Sequence, residues 1–261
     1  MLPNHAPLIV AEQFGTLAQL YPGRIDLGLG RAPGTDQATL RALRRRSAAA
    51  DSFPDDVREL RSYFSESAAD KPIQAVPAAG TDVPLWILGS STFGAAVAAE
   101  FGLPYAFASH FAPAQLHRAL QVYRDNFKPS AQLQRPYAMI GVNVIAAQSS
   151  DLARWLATTQ QVSFVNLLRG NRGLSQPPIE SIEDYWTPAE RNTVQQMLAC
   201  SVVGDSSAVG EGLMRLAEET GADELMLVTD VFDHEARLHS LALTAGAVGA
   251  VRSESDALTA F

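Results

Sequence analysis

The sequence lacks the features that mark several classes of protein. It has one cysteine, Cys200, in 261 residues, so no disulfide can form within the chain, which indicates a reducing compartment. Lys and Arg number 20 against 28 Asp and Glu, and a formal charge of −8 argues against a nucleic-acid partner. The longest apolar runs are too short to span a bilayer, and the amino-terminal residues carry no secretion-signal pattern. These absences predict a cytoplasmic protein with neither a nucleic-acid nor a membrane partner.

Motifs for metal binding and covalent catalysis are also missing. Histidines, cysteine and carboxylates do not recur at metal-ligand spacing, and no Ser-His-Asp order with an elbow motif occurs. The stretch GLGRAPG lacks the G-x-G-x-x-G spacing of a dinucleotide loop. Cys200 has apolar neighbours and no basic residue that would lower its pKa, which predicts a buried hydrophobic side chain.

Short apolar segments alternate with helical ones along most of the chain. A strand is predicted over residues 24–30, and four more are predicted at VPLWILG, LPYAFASH, PYAMIGVNVIAA and ADELMLVTD. Such alternation predicts parallel strands covered on both faces, in a doubly wound sheet or a (β/α)8 barrel. Five full strands, with Met1 and Leu2 as a further stub, fall short of eight, so a barrel would lack its beginning.

The helical segments define the remaining organisation. Apolar spacing and Pro7 predict a helix over residues 6–20, and residues 35–64 are interpreted as two exposed helices that include the basic run RALRRR as a solvated face. The chain is taken as one domain, 1–261, with a helical insertion at about 149–200. The centre of this insertion is rich in glycine and proline, and we expect it to cover the carboxyl ends of the strands.

Ligands of parallel α/β folds bind at the carboxyl ends of the strands, where this sequence places two notable features. Arg31 directly follows the first strand, and Gly89-Ser90-Ser91 follows the second and opens a helix. A glycine-containing turn at a helix start, with hydroxyls and a neighbouring guanidinium, suits a phosphate. Two other interpretations remain open: the serines form a helix N-cap, or Arg31 pairs with Asp26 or Asp36.

Histidines supply weaker candidates. His110 follows the third predicted strand, where it would face a ligand or cap the next helix. His5 lies in a loop and is interpreted as a surface residue. Thr229 and Asp230 follow the last strand. The remaining histidines fall in helical stretches and are predicted to be solvated: His117, His234 and His239.

Three long segments closely resemble the luciferase-like flavin-dependent monooxygenases. They are MLPNHAPLIVAEQFGTLAQLYPGRIDLGLGRAPGTD, LWILGSSTFGAAVAAEFGLPYAFASHF and ADELMLVTDVFDHEARLHSLALTA. The resemblance implies a (β/α)8 barrel of the bacterial luciferase type that uses reduced FMN, or alternatively a deazaflavin, with molecular oxygen and a small organic substrate. It also implies a separate flavin reductase and a homodimer. The cofactor phosphate would be held by residues after the fourth and fifth barrel strands, here Arg31, Gly89, Ser90, Ser91, Phe93 and Gly94.

The resemblance begins at the end of the family's third strand. Family residues nearest the flavin ring lie in the earlier part, so the catalytic residues are unknown for this chain, and no metal is implied. The substrate pocket would be formed by those earlier loops and by residues 151–200. We therefore expect an enzyme of this family, and keep two alternatives: a non-catalytic flavin-binding or interaction protein built on the same barrel, and an unrelated phosphate-binding α/β protein.

Overall fold

A computed structural model describes residues 1–32, 37–44, 51–70, 72–171 and 173–258. Within these residues the chain forms nine α-helices and six β-strands in mainly alternating order. The strands are β1 Leu27–Gly30, β2 Leu85–Gly89, β3 Tyr105–Phe107, β4 Ala138–Ala146, β5 Ser201–Gly204 and β6 Glu224–Val228. The helices are α1 Pro7–Leu20, α2 Gln37–Ala42, α3 Phe53–Phe64, α4 Thr92–Phe101, α5 Leu116–Asp125, α6 Ser150–Leu168, α7 Pro188–Met197, α8 Ser206–Thr220 and α9 His234–Leu258. None of the helices in the described segments combines the length and the apolar character that a membrane span requires.

The chain divides into two compact units. The first comprises Met1–Phe107 and His117–Ala138, and the second comprises Ala108–Leu116 and Met139–Phe261. In the first unit β2 pairs in parallel with both β1 and β3. In the second, β4 pairs in parallel with β5 near its carboxyl end and with β6 nearer its amino end. The predicted parallel α/β architecture is confirmed.

The core of the first unit is built on α3. Phe53, Val57, Leu60 and Phe64 are all buried, and their spacing places them on one face of the helix. The sequence interpretation of α3 as an exposed helix is therefore wrong. Five of its twelve residues are charged, whereas its apolar residues recur at the spacing that buries one side.

The core of the second unit packs β4 between helices. Ile145 of β4 contacts Ala153 and Leu156 of α6, together with Val231 after β6. The buried hydroxyl of Ser240 in α9 accepts a hydrogen bond from the Ala146 N–H at 2.9 Å. These contacts fix the carboxyl end of β4 against α6 and α9.

Two further details differ from the sequence analysis. Residues Leu2–Asn4 form a 3₁₀ turn instead of a strand stub, because Pro3 fixes φ and has no N–H to donate. Strand β5 was not predicted, since it has only four residues and lies between two helical segments. The predicted helical stretch at 151–200 is two helices, α6 and α7, separated by irregular chain that contains glycine and two prolines.

Candidate functional site

The turn between β2 and α4 is formed by Ser90 and Ser91. Ser91 occupies the N-cap position of α4 in an extended conformation, with φ −147° and ψ 166°, yet its side chain makes no capping hydrogen bond. Ser91 is therefore the N-cap residue, as the alternative interpretation expects, but its hydroxyl makes no capping bond. Both serines are partly exposed, and within the described part of the chain neither hydroxyl has a hydrogen-bond partner. Two hydroxyls thus remain available to a ligand at the start of a helix.

The start of α4 favours negative charge. The helix has ten residues, and its first turn contains no acidic side chain. The first N–H groups of any α-helix lack carbonyl partners within the helix, and the helix dipole adds partial positive charge at this end. Gly89 and Gly94 flank the turn, and a Cβ on either would point toward Tyr105, so the two glycines let the turn pack closely on the core. Together these features form an anion-binding geometry.

Arg31 lies beside this helix start. It directly follows β1, is exposed, and places its guanidinium carbon 4.1 Å from the centroid of the Phe93 ring in the first turn of α4. This is a cation–π contact. A guanidinium stacked on a ring keeps its N–H donors in its own plane, where they can reach a phosphate in a forked arrangement.

The alternative pairing of Arg31 with Asp26 does not occur. The Asp26 carboxylate instead accepts a hydrogen bond from Trp86 Nε1 at 3.2 Å. Asp36, the other alternative partner, lies outside the described residues. Within the described segments Arg31 makes no salt bridge, so its charge is available at the helix start.

Tyr105 lies beneath the turn and was not among the predicted site residues. Its hydroxyl donates to the Ser91 carbonyl oxygen at 3.0 Å, and the residue is fully buried. A Cβ at Gly94 would lie 3.4 Å from Tyr105 Cε2, and one at Gly89 would lie 3.6 Å from the tyrosine hydroxyl. An aromatic residue at the start of an apolar strand is typical of a core position, so its hydroxyl contact could not be foreseen.

A second group of polar residues lies within the second unit. The His110 ring packs against Gly141, so closely that no Cβ fits there, and makes an edge contact with Phe111 at 4.7 Å. Asn143 Nδ2 donates to the His110 carbonyl oxygen, and Ser109 Oγ donates to the Gly141 carbonyl oxygen at 2.6 Å. These bonds fix the backbone that carries His110, which does not cap a helix.

Burial determines the ionisation of His110. Among the described residues its enclosed Nδ1 has no hydrogen-bond partner, and desolvation lowers the pKa of the imidazole below its usual value. Burial thus favours the neutral ring. In the same unit Thr229 Oγ1, beyond the carboxyl end of β6, is also buried with no partner in the described part of the chain. Both groups are candidates for ligand contact.

The other candidates have structural roles or lie in solvent. Cys200 is buried, and desolvation raises the pKa of its thiol, so the prediction of a buried hydrophobic side chain is confirmed. His5 is exposed at the end of the first 3₁₀ turn. The three remaining histidines are exposed on helices, as predicted: His117, His234 and His239. Part of the basic run RALRRR lies outside the described residues.

The segment between α6 and α7 is anchored at several points. Thr159 Oγ1 donates to the Gln176 carbonyl oxygen at 2.9 Å, and Arg169 forms a bidentate salt bridge with Glu190, at 2.7 and 3.0 Å. Pro178 returns to the carboxyl end of β4, where it lines a cavity of about 450 Å³ with Ala146. A second cavity of about 630 Å³ lies between α6 and this segment, lined by apolar side chains and by the amides of Asn166, Asn171 and Gln176.

The first of these sites suits a phosphate-bearing cofactor. It combines a helix start free of acidic residues, two hydroxyls without partners and a stacked guanidinium, all in the first unit. No group of three or more His, Cys, Asp or Glu in the described residues is arranged to hold a metal ion. Anion binding is therefore the chemistry that the arrangement favours.

Comparison with known proteins identifies the class. The sequence model of the luciferase-like monooxygenases matches residues 1–224. A luciferase-like monooxygenase of Escherichia coli strain K12 is 54% identical over 244 residues, which cover 93% of this chain and 73% of that protein. This chain belongs to the luciferase-like monooxygenase family.

Solved structures agree with this assignment. The crystal structure of apo-MsnO8 has a TM-score of 0.80 at 30% identity, covering 95% of this chain and 76% of that one. A type II Baeyer–Villiger monooxygenase in complex with FMN, the oxygenating constituent of the 3,6-diketocamphane monooxygenase of Pseudomonas putida, has a TM-score of 0.63 at 18% identity, covering 93% of this chain and 75% of that one. The predicted fold class, a luciferase-like barrel represented here by six described strands, is confirmed.

Proposed function

We propose that this chain is a flavin-dependent monooxygenase that uses reduced FMN and molecular oxygen on a small organic substrate. Family membership supports the reaction class. The observation that supports a phosphate-bearing cofactor is the Arg31 guanidinium over the Phe93 ring, beside the Ser90 and Ser91 hydroxyls, which have no partner among the described residues. When bound, reduced FMN supplies two electrons; one oxygen atom of O2 enters the substrate and the other leaves as water.

The residues of this chain bind and orient the cofactor. Arg31 would donate hydrogen bonds to the phosphate, with its guanidinium held over the Phe93 ring. Ser90 and Ser91 would add hydroxyl donors at the start of α4, while Gly89 and Gly94 let the turn pack closely on Tyr105. These residues would thereby hold the phosphate end of the cofactor.

A deazaflavin is the alternative cofactor, because a phosphate site does not by itself distinguish the two ring systems. Titration with each distinguishes them. We expect tighter binding of FMN, and tighter binding of the deazaflavin would replace FMN in this proposal.

The second candidate function is a flavin-binding or interaction protein without catalytic activity. It is favoured by one observation: the described residues that contact the proposed phosphate position carry no group that titrates near neutral pH. This chain would then bind FMN but oxidise nothing.

We further propose a cytoplasmic homodimer supplied with reduced FMN by a separate reductase. The dimer is supported by α1, on which Ile9 and Leu20 are 47% and 65% exposed. The apolar side of α3 is not available for a dimer interface, because it is buried within the first unit. Light scattering at micromolar concentration should give twice the mass of one chain, and charged substitutions at Ile9 and Leu20 should give the mass of one.

The function is tested by isotope incorporation. The purified chain is supplied with FMN, a flavin reductase, NADH and ¹⁸O2, and a panel of aldehydes, ketones and thioethers is analysed by mass spectrometry. We expect a product that carries one ¹⁸O atom and forms only when the chain is present. FMN binding without a labelled product from any compound would favour the non-catalytic alternative, and absence of FMN binding would refute both.

A further inference from the structure

Tyr105 contacts the phosphate turn from the side of the core. Its hydroxyl donates to the Ser91 carbonyl oxygen at 3.0 Å, and its ring lies at van der Waals distance from the Cβ positions of Gly89 and Gly94. Desolvation raises the pKa of the phenol well above its usual range, so the hydroxyl is a donor at neutral pH.

Tyr105 is itself held in one position. Its ring contacts Phe107 at 6.2 Å in an edge arrangement and Tyr123 at 5.5 Å in a tilted one. The Tyr123 hydroxyl donates to the Leu103 carbonyl oxygen at 2.9 Å and accepts from the Tyr137 N–H at 3.0 Å. The aromatic group beneath the turn is thus anchored to the backbone just before β3 and just before β4.

The hydrogen bond to Ser91 sets the orientation of the turn. In a trans peptide the carbonyl and the following N–H point in opposite directions. Holding the Ser91 carbonyl toward the core therefore fixes the peptide plane at the N-cap of α4 and, with it, the placement of the two serine side chains. A turn that is held in this way needs less ordering when an anion binds.

We propose that Tyr105 is a positioning residue of the phosphate turn, and that it supports the preference of this chain for FMN over riboflavin, which lacks the phosphate. The inference rests on the proposed phosphate site. Tyr105 does not touch the ligand in this proposal. It acts through Ser91, and its effect should be confined to ligands that carry the phosphate.

The test compares the ratio of FMN affinity to riboflavin affinity in Tyr105→Phe and in the unaltered chain, by quenching of flavin fluorescence. The hydrogen bond from Tyr105 to Ser91 lies within the protein, so its loss changes affinity only through the ordering of the turn, and the value of one neutral hydrogen bond, about 12-fold, is the upper limit. We expect FMN affinity to fall by about 2- to 12-fold and riboflavin affinity to stay unchanged, so that the ratio falls. The matched control is Tyr63→Phe, which removes the hydroxyl of another buried tyrosine of the first unit, one that donates to Glu59 Oε1 and not to the turn. It should lower thermal stability without changing the ratio.

A second variant approaches the same contact from the other side. In Gly94→Val the Cβ would stand 3.4 Å from Tyr105 Cε2, at the near limit of ordinary contact, and the two methyl groups beyond it would need room that the ring or the turn must give up. This variant should also lower the ratio, and it keeps the test informative if Tyr105→Phe does not fold. An unchanged ratio in folded Tyr105→Phe, or in Gly94→Val when only that variant folds, would overturn the role of Tyr105. Equal affinities of the unaltered chain for FMN and riboflavin would instead refute the phosphate site, and this inference with it.

Discussion

Removal of the Arg31 guanidinium tests the phosphate site at its charged component. In Arg31→Ala the stacked contact with Phe93 and the forked donors disappear together, while the serines and the start of α4 are unchanged. A charge-assisted hydrogen-bonding partner contributes about 1.5–3 kcal/mol. Because Arg31 is exposed, water screens part of its charge, and we expect the lower half of that range. This corresponds to FMN affinity about 13- to 45-fold weaker.

The assay is isothermal titration of FMN, with riboflavin as the ligand that lacks the phosphate. Arg24→Ala is the matched control variant, because Arg24 is also exposed and lies before β1, near its amino end. It makes the same change in net charge away from the proposed site. Riboflavin affinity should be equal in all three proteins, and the effect of Arg31→Ala should shrink as salt is raised.

Unchanged FMN affinity in Arg31→Ala would refute the role of Arg31 in binding the phosphate. An equal loss in Arg24→Ala would also refute it, because the effect would then come from net charge. Arg31→Lys refines the result, since it keeps the charge but loses the planar fork and the stacking geometry. We expect its affinity to lie between those of the other two proteins.

Three further outcomes are expected. Ser91→Ala should weaken FMN binding by about 0.5–1.5 kcal/mol in the same titration, less than Arg31→Ala, because backbone donors remain. Gly141→Ala should lower the free energy of unfolding by about 1–3 kcal/mol, since its methyl group would displace the His110 ring, and in a His110→Ala background the loss should be smaller. The Glu190 carboxyl has its pKa lowered to about 2, chiefly by hydrogen bonds from Arg169 and the Thr187 N–H. Its stabilisation is present above the ordinary pKa of about 4.3 and lost as pH falls toward 2, so thermal unfolding scans should show the unaltered chain losing its advantage over Glu190→Gln in that window. A constant difference between the two proteins across that window would contradict the assignment.

The strands of the fold were predictable because short apolar runs bounded by glycine, proline and helical segments carry a strong local signal. β2 is predicted at VPLWILG and observed at Leu85–Gly89, and β4 is predicted at PYAMIGVNVIAA and observed at Ala138–Ala146. β5 was not predictable, because its four residues gain their structure from pairing with β4, a contact distant in sequence. The burial of one face of α3 was not predicted for a different reason, because charged residues lie between its apolar ones.

The candidate site was predictable to a similar extent. Strand ends could be located, so Arg31 and the two serines could be assigned to the carboxyl edge. The stacking on Phe93 was not predictable, because it depends on side-chain placement across two elements. Nor was the role of Tyr105, whose hydroxyl reaches a backbone carbonyl fourteen residues earlier in the chain. Sequence patterns locate a site on the fold, whereas packing determines which groups support it.

The position of the bound phosphate is the sharpest test of the proposed site at Arg31, Ser90 and Ser91. A crystal structure of the chain with bound FMN should place the phosphate oxygens within hydrogen-bond distance of the Arg31 guanidinium and of the Ser90 or Ser91 hydroxyl, at the start of α4. FMN bound with its phosphate away from that helix start would contradict the proposed phosphate site.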